Sequence, residues 1–230
     1  MKFKRREFLQ SGVRWAHGLG VVTLALQAGA QETGISAKPR DPRRDAELQK
    51  LLEELESSQA QFYNVPRKDG EFLSLLTKIA RARQILEIGT ANGYSAIWLS
   101  LALQETGGQL TTIEIQPQLV RAAKENLKRA RLDHLVHFRE GDAHQVVTQL
   151  DGPFDLVFID AELGGKMDYF QKIFPKKLRA GGLIVCHNAI TYRSAMQDYL
   201  DFIKAHPDFD TVILSLTMQD GFCVSYRRQG

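Results

Sequence analysis

The feature that most constrains the fold is an apolar run that leads into a glycine-containing turn and then into a helix. The run at 84–86 is followed by the letters EIGTANG at 87–93 and by a helical pattern at 94–99. Glycine lets backbone approach a ligand closely, and the first turn of a helix offers unpaired N–H groups. Strand, loop and helix in this order hold nucleotide-like ligands in α/β folds. Ala91 and Tyr94 stand where a dinucleotide fingerprint requires glycine, which disfavours a nicotinamide-dependent oxidoreductase.

The patterns along the chain alternate between strand and helix. Two helices come first, at 45–59 and around 72–79. Alternation then predicts a parallel sheet with crossover helices on both faces. Two last strands, at 211–217 and 221–226, have a connection short enough to force an antiparallel hairpin. We therefore predict a three-layer, doubly wound α/β sheet of five parallel strands closed by a C-terminal hairpin. The parallel strands are expected near 84–88, 110–115, 134–139, 155–160 and 182–187, and the helices between and after them near 94–104, 117–131, 143–150, 167–178 and 191–205.

The first thirty residues differ from the rest of the chain. They carry five basic residues against one acidic residue, then an apolar stretch at 13–26 and small residues at 28–30. The letters RREFLQ at 5–10 resemble a twin-arginine export signal, which directs folded cargo to the periplasm. The alternative is a basic leader without a targeting role in a cytoplasmic protein. We predict a signal segment at 1–30, a linker at 31–44 and one domain at 45–230.

Charge and cysteine content limit the partners. The leader contributes a net charge of +4, more than the +3 of the whole chain, so the remaining residues carry −1. Nothing in that balance indicates a nucleic-acid partner. The apolar stretch of the leader is too short and broken for a stable membrane span. Cys186 and Cys223 each lie in an apolar run, which favours buried free thiols over a disulfide or a metal pair.

Ligands of open α/β sheets lie beyond the carboxyl ends of the strands, so the residues that end each strand are candidates. Glu114 ends the second strand, where a carboxylate can accept hydrogen bonds from ribose hydroxyls. Asp142 follows the third strand and can accept a bond from an adenine amino group, although Gly-Asp is also common turn chemistry. Ser95 either donates to a ligand carboxylate or caps its helix.

These segments resemble two known families. The pattern E-x-G-x-x-x-G-x-S at 87–95 is similar to the S-adenosylmethionine loop of class I methyltransferases. The segments 86–95, 111–116, 141–143, 155–161 and 181–188 resemble, in order and spacing, the catechol and caffeoyl-CoA O-methyltransferases. The resemblance covers about 45–230 and implies an S-adenosylmethionine site. The residues that would surround it are Val65, Glu87, Gly89, Gly93, Ser95, Glu114, Ile115, Asp142, Ala143 and Asp160.

The acceptor half departs from that resemblance. Those families hold a divalent cation with an Asp ending the fourth strand and an Asp-Asn pair ending the fifth. This chain keeps Asp160 but has His187 and Asn188 at the second position. An imidazole weakens an all-oxygen magnesium site and favours a transition metal or no metal. The metal candidates are therefore Asp160, His187 and Asn188, with the presence of a metal left open.

The family lysine near the attacking oxygen is also missing, because Leu163 stands three residues after Asp160. His187 is the first candidate for the general base, since a neutral imidazole can accept the proton of a phenol. The predicted catalytic residues are therefore His187 and Asp160. A structural histidine at the strand end is an equally supported reading. Weaker candidates for the base are Lys166, Glu162 and Tyr169.

We predict an S-adenosylmethionine-dependent O-methyltransferase whose acceptor is a small, hydroxylated and aromatic molecule. The first alternative is a catalytically silent S-adenosylmethionine-binding protein on the same fold, which the two departures favour. A homodimer stays open. An exported methyltransferase would also need its methyl donor outside the cytosol, and the sequence does not say how that donor arrives.

Overall fold

A computed structural model describes residues 42–57, 62, 64–215 and 220–230. The predicted signal segment lies outside these residues, as does most of the predicted linker. The described part contains seven strands: β1 (Gln84–Ile88), β2 (Gln109–Glu114), β3 (Val136–Glu140), β4 (Phe154–Ile159), β5 (Leu178–His187), β6 (Phe209–Leu214) and β7 (Phe222–Arg227). Its α-helices are α1 (Pro42–Ser57), α2 (Arg67–Ile79), α3 (Tyr94–Thr106), α4 (Pro117–Arg129), α5 (Ala143–Gln149), α6 (Lys166–Ile173) and α7 (Gln197–Ala205).

The strands form one sheet in the order β3-β2-β1-β4-β5-β7-β6. Strands β1 to β5 are parallel, and β7 pairs antiparallel with both β5 and β6. The prediction of five parallel strands closed by a terminal hairpin is confirmed. Strand order reverses between β1 and β4, which in open α/β sheets is where a crevice for a ligand forms.

Two apolar layers cover the sheet, because alternate residues of each strand point to opposite faces. Ile85 of β1 and Leu156 of β4 pack in one cluster with helices α1 to α4. Leu86 and Val157, the next residue of each strand, pack in the other cluster with α5, α6 and α7. The two clusters make the three-layer arrangement that the alternating pattern predicts.

Several boundaries differ from the sequence prediction: α6 ends at Ile173 instead of 178, and β5 begins at Leu178 instead of 182. Helix α1 begins at Pro42, inside the predicted linker, because a proline is tolerated in the first turn, where its missing N–H would have no partner. The last predicted helix, at 191–205, is divided into a 3₁₀ turn at Arg193–Met196 and helix α7.

Cys186 and Cys223 are buried free thiols, opposite each other on β5 and β7. Burial raises the pKa of Cys186 to about 11 and that of Cys223 to about 12. Both therefore stay protonated and act as small apolar side chains in the sheet. Among the described residues, no helix is long and apolar enough to cross a membrane.

Gly93 is needed for packing between helices. It precedes α3 with φ 87°, and a Cβ added there would lie 3.1 Å from both Cα and Cβ of Ala123 on α4. The resemblance implied that Gly93 surrounds the cofactor, but it does not line the cavity described below. Its missing side chain lets α3 begin directly against α4.

We expect Gly93→Ala to destabilise the fold more than Gly107→Ala does. Gly107 ends the same helix with φ 74°, and a Cβ there would meet only Arg83 at 3.8 Å. Both variants incur the left-handed backbone cost of about 1–2 kcal/mol. Gly93→Ala adds crowding against Ala123, worth roughly 1–3 kcal/mol more. Urea unfolding of the full chain measures both losses, and equal losses would contradict this account of Gly93.

Candidate active site at the ends of the parallel strands

A cavity of about 1030 Å³ lies beyond the carboxyl ends of β1 to β5. Its floor comes from the segments that follow these strands, and its walls come from α1, the segment before α2 and the segments after β5 and β6. It is therefore at the crevice where the strand order reverses. The predicted site residues that line it are Val65, Gly89, Ser95, Glu114, Ile115, Asp142, Ala143, Asp160, His187 and Asn188.

Gly89 brings the loops after β1 and β4 together. Its φ is 95°, and a Cβ added there would lie 2.5 Å from the carbonyl oxygen of Asp160. No side chain fits in that space without moving backbone. Gly89 lines the cavity, and its missing side chain lets two neighbouring strand ends touch.

Glu114 is oriented by backbone from two loops. Its Oε2 accepts a hydrogen bond from the amide of Ala91 at 2.9 Å, and its Oε1 accepts one from the amide of Gln116 at 3.0 Å. Each carboxylate oxygen can accept a second bond. The side chain is mostly buried but still lines the cavity. A preset carboxylate at this strand end is suited to hold a pair of hydroxyl groups.

Glu87 lies behind the cavity and does not line it. The carboxyl group is fully buried, where it accepts hydrogen bonds from Ser95 Oγ at 2.7 Å and Thr112 Oγ1 at 2.5 Å. Burial raises the pKa of Glu87 to about 7, although these hydrogen bonds lower it. Glu87 therefore supports the loop from behind, by tying β1 to β2 and to the start of α3.

Ser95 lines the cavity but does not cap its helix. The residue at the N-cap position of α3 is Gly93, and no side chain caps that end. The capping alternative for Ser95 is therefore wrong. Because a hydroxyl carries one proton and Ser95 gives it to Glu87, its oxygen is left as an acceptor.

Asp142 caps a helix and also lines the cavity. Its Oδ1 accepts a hydrogen bond from the amide of His144 at 2.9 Å and so caps α5. The same residue lines the cavity, next to Ala143.

Ile115 follows Glu114 in the chain and has a large apolar side chain with an exposed fraction of 61%. Such an exposed apolar surface at the rim is suited to cover a planar ring.

His187 ends β5 between two aspartates. Its Nε2 is 2.8 Å from Oδ2 of Asp69 on α2, and its Nδ1 is 3.2 Å from Oδ1 of Asp160 after β4. Burial lowers the pKa of His187, but the charges and hydrogen bonds of Asp160 and Asp69 outweigh burial and raise it to about 10. The ring is held as an imidazolium. This arrangement is unfavourable to the predicted role of His187 as a general base, since a base needs a free lone pair.

The same arrangement decides how well a metal fits. A histidine ligates a metal through a deprotonated nitrogen, and both nitrogens of His187 face carboxylates. Within the described ranges, no group of three His, Cys, Asp or Glu side chains is arranged to hold a metal ion. Asp160, His187 and Asn188 line one cavity, but as placed they do not fit a metal site.

The weaker candidates for the base have other partners. Lys166 is buried and does not line the cavity; its Nζ donates to the carbonyls of Ile159 at 3.3 Å and Ala161 at 3.0 Å. Tyr169 lines the cavity and donates to Oε2 of Glu162 at 3.0 Å. Burial, together with Glu162, raises the pKa of Tyr169, so the phenol stays protonated. Leu163 leaves an apolar wall where related families have lysine.

Several site residues were not predicted. Asp69 carries the clearest role, but in the sequence it lies among Arg67, Lys68 and Glu71, a pattern typical of a solvated helix face.

His144 stacks on the ring of Tyr169 with centroids 4.5 Å apart. It also contacts Asp168 and Glu162, and the hydrogen bond that its ring donates to Asp168 is the main reason that its pKa is raised. Further lining residues that the sequence did not reveal are Glu56, Phe62, Asn64, Tyr192 and Asp220.

The cavity wall is strongly acidic. Among the described lining residues there are six carboxylates and one imidazole, with no lysine or arginine. A cavity of this charge favours ligands that carry positive charge and disfavours polyanions. The carboxylates are Glu56, Glu114, Asp142, Asp160, Glu162 and Asp220.

Several known proteins are similar to this chain. The catechol O-methyltransferase of Niastella koreensis is 40% identical over 131 residues, which are 55% of this chain and only 58% of that protein. The catechol O-methyltransferase of Mycobacterium tuberculosis is 36% identical over 179 residues, which are 71% of this chain and 80% of that protein. The crystal structure of the O-methyltransferase from Bacillus cereus in complex with SAH is 28% identical. It has a TM-score of 0.70 and covers 84% of this chain and 94% of that one.

A family profile described as O-methyltransferase matches residues 38–206. The match includes the loop after β1, the acid that ends β2 and the ends of β4 and β5, which together form the cavity floor. The overall fold is also similar to that of the solved relative. The chain belongs to this O-methyltransferase family.

Proposed function

We propose that this protein transfers a methyl group from S-adenosylmethionine to a hydroxyl of a small, aromatic acceptor. The observation that carries the proposal is the placement of Glu114, a carboxylate preset by two backbone amides at the floor of a strand-end cavity. Its oxygens are suited to accept the two ribose hydroxyls of the donor. The family profile and the relatives named above support the same reaction.

The charge of the cavity supports a sulfonium donor. When bound, the donor supplies a methyl group on a positively charged sulfur, which becomes a neutral thioether as the acceptor oxygen gains the methyl group and loses its proton. Six carboxylates on the wall favour the cationic form before transfer. Gly89, Glu114 and Asp142 would hold the nucleoside end, and Ile115 would cover the ring.

The acceptor half is formed by the ends of β4 and β5. Asp160 and Asn188 offer polar groups that can orient a hydroxyl, while Leu163 and Tyr192 offer apolar surface for a ring. Holding the hydroxyl close to the methyl group converts the transfer into an effectively unimolecular step, which is a large part of such catalysis. Asp160 is the carboxylate that this arrangement favours as proton acceptor.

A catalytically silent S-adenosylmethionine-binding protein is the second candidate. Two observations favour it: Leu163 stands in the place of a lysine, and the ring nitrogens of His187 are engaged by carboxylates. The cofactor half would be unchanged in that case. The two candidates therefore differ in turnover and not in donor binding.

Isothermal titration of the full chain with S-adenosylmethionine tests donor binding. We expect saturable binding that Glu114→Ala weakens by roughly ten- to hundredfold, since hydrogen bonds to a charged acceptor are worth about 1.5–3 kcal/mol. Glu140→Ala is the matched control, because Glu140 is the register neighbour of Glu114 on β3 and does not line the cavity. No heat of binding at millimolar donor would reject both candidates.

Turnover is tested by incubating the donor-bound protein with a panel of catechols and simple phenols. We expect a product heavier by one methylene unit in mass spectrometry for at least one aromatic acceptor with adjacent hydroxyls. Donor binding without product across the panel would favour the silent binding protein. The Glu140→Ala variant again serves as the control, because it should retain the activity of the parent chain.

We further propose that residues 1–30 direct export by the twin-arginine route. The proposal is supported by the RREFLQ letters at 5–10, the apolar stretch at 13–26 and the small residues at 28–30. Export in the folded state would allow a bound donor to cross with the protein. This is the one supply of methyl donor that the sequence itself suggests.

Fractionation of bacterial cells that express the full chain tests this proposal. We expect the protein in the periplasmic fraction, and the double variant Arg5→Lys, Arg6→Lys in the cytoplasmic fraction. Lysine keeps the positive charge of the leader but removes the arginine pair that the export route reads. An unchanged distribution between the parent chain and the variant would rule out this route.

A further inference from the structure

We propose that the acceptor site of this chain works without a divalent metal, because the ring of His187 already bridges the carboxylates that would otherwise need a cation. In this arrangement Asp69 is a positioning residue that acts through His187 to hold Asp160 at the cavity floor. The inference rests on the proposed function in one respect: the proposed function supplies the acceptor hydroxyl that Asp160 would face.

The first support is the hydrogen-bond pattern of the ring. Each nitrogen of His187 faces a carboxylate oxygen, of Asp69 or of Asp160, and such an oxygen is a hydrogen-bond acceptor, so both nitrogens are placed to donate. A nitrogen that donates has no lone pair for a metal. The contacts are at 2.8 Å and 3.2 Å, and the side chain of His187 is only 4% exposed, so water does not replace either partner easily.

The second support is the charge balance of the cluster. Asp69 is fully buried on α2, and a buried carboxylate is costly unless a positive group pairs with it. The ring of His187 is the partner that Asp69 and Asp160 share, because one nitrogen faces each carboxylate. A divalent metal bound between these two carboxylates would have to displace the ring from that position.

The third support is where the three residues come from. Asp69 lies on α2, Asp160 follows β4 and His187 ends β5, so the cluster ties helix α2 to the floor of the cavity. Oδ1 of Asp69 makes no hydrogen bond within the described ranges, so the bond to His187 is the one that orients this carboxylate. Phe222 packs beside the imidazole with ring centroids 5.1 Å apart and limits its rotation. The ring is fixed in place.

A titration of the full chain with Mn²⁺, followed by electron paramagnetic resonance, tests the proposal directly. We expect the parent chain to show no saturable Mn²⁺ binding at Asp160, that is, no binding that is lost in Asp160→Asn. His187→Asp replaces the imidazole ring with a third carboxylate beside Asn188. Carboxylate and amide oxygens are the ligands that a hard cation prefers. We expect this variant to bind Mn²⁺ saturably, with a dissociation constant at least about tenfold below the highest Mn²⁺ concentration at which the parent chain shows no binding at this site.

Binding elsewhere has its own control. Asp168 contacts His144 and Lys172 at the rim, away from His187, and Asp168→Asn removes the carboxylate of that second cluster. Mn²⁺ binding that Asp168→Asn abolishes belongs to the rim and leaves the proposal standing. Saturable Mn²⁺ binding by the parent chain that Asp160→Asn abolishes would overturn it.

Nitrogen NMR of the ¹⁵N-histidine-labelled chain gives a second readout, the chemical shifts of the ring nitrogens of His187. These shifts would not change in Asp69→Asn if Asp69 only supported the fold. We expect two protonated ring nitrogens for His187, and a selective shift of the Nε2 signal in Asp69→Asn. A bare ring nitrogen in the parent chain would overturn the proposal, even if His187→Asp fails to fold.

Methyl transfer separates this inference from the proposed function. Transfer that persists in excess chelator supports it, and transfer that chelator abolishes and Mn²⁺ restores would overturn it. If no donor binds at all, the proposed function fails, but the Mn²⁺ titration and the ring-nitrogen signals still decide whether His187 takes the place of a metal.

Discussion

The contact between Gly89 and the carbonyl of Asp160 is the constraint on which the site depends. It is possible only because position 89 has no side chain and a left-handed backbone. The contact joins the ends of β1 and β4, the two strands between which the sheet changes direction. The loop that would hold the donor and the carboxylate that would face the acceptor are thus fixed relative to each other by backbone. Transfer between two bound molecules needs this kind of fixed distance.

Much of this arrangement could be predicted from local patterns. Strand and helix periodicity gave the parallel sheet, its terminal hairpin and the strand ends at which Glu114, Asp142 and Asp160 lie. These predictions succeed because each depends on a few consecutive residues and on the rule that ligands bind at the carboxyl ends of parallel strands. The predicted start of α1 was less accurate, because a proline near the start of a helix is equally typical of a linker.

The roles of individual side chains were harder to predict, because they depend on partners far away in sequence. Asp69 and His187 are 118 residues apart and meet only when α2 packs over the end of β5. Glu87 and Gly93 match the loop pattern but face the protein interior, where they hold Ser95 and accommodate Ala123. A motif therefore identifies which segment forms the site. It does not identify which of its residues touch the ligand.

Lys166 is an example of a side chain whose role depends on its partners in the folded chain. As a surface lysine it would have been a candidate for proton transfer, but it points inward and donates to two carbonyl groups where β4 ends. Of these two partners, Ala161 belongs to the wall of the cavity, whose described lining residues include six carboxylates and neither lysine nor arginine. An ammonium beneath that wall offsets the dipoles of the strand end from within the protein, out of reach of mobile salt ions. Helix α6 thus carries a built-in counterion for the loop that holds Asp160.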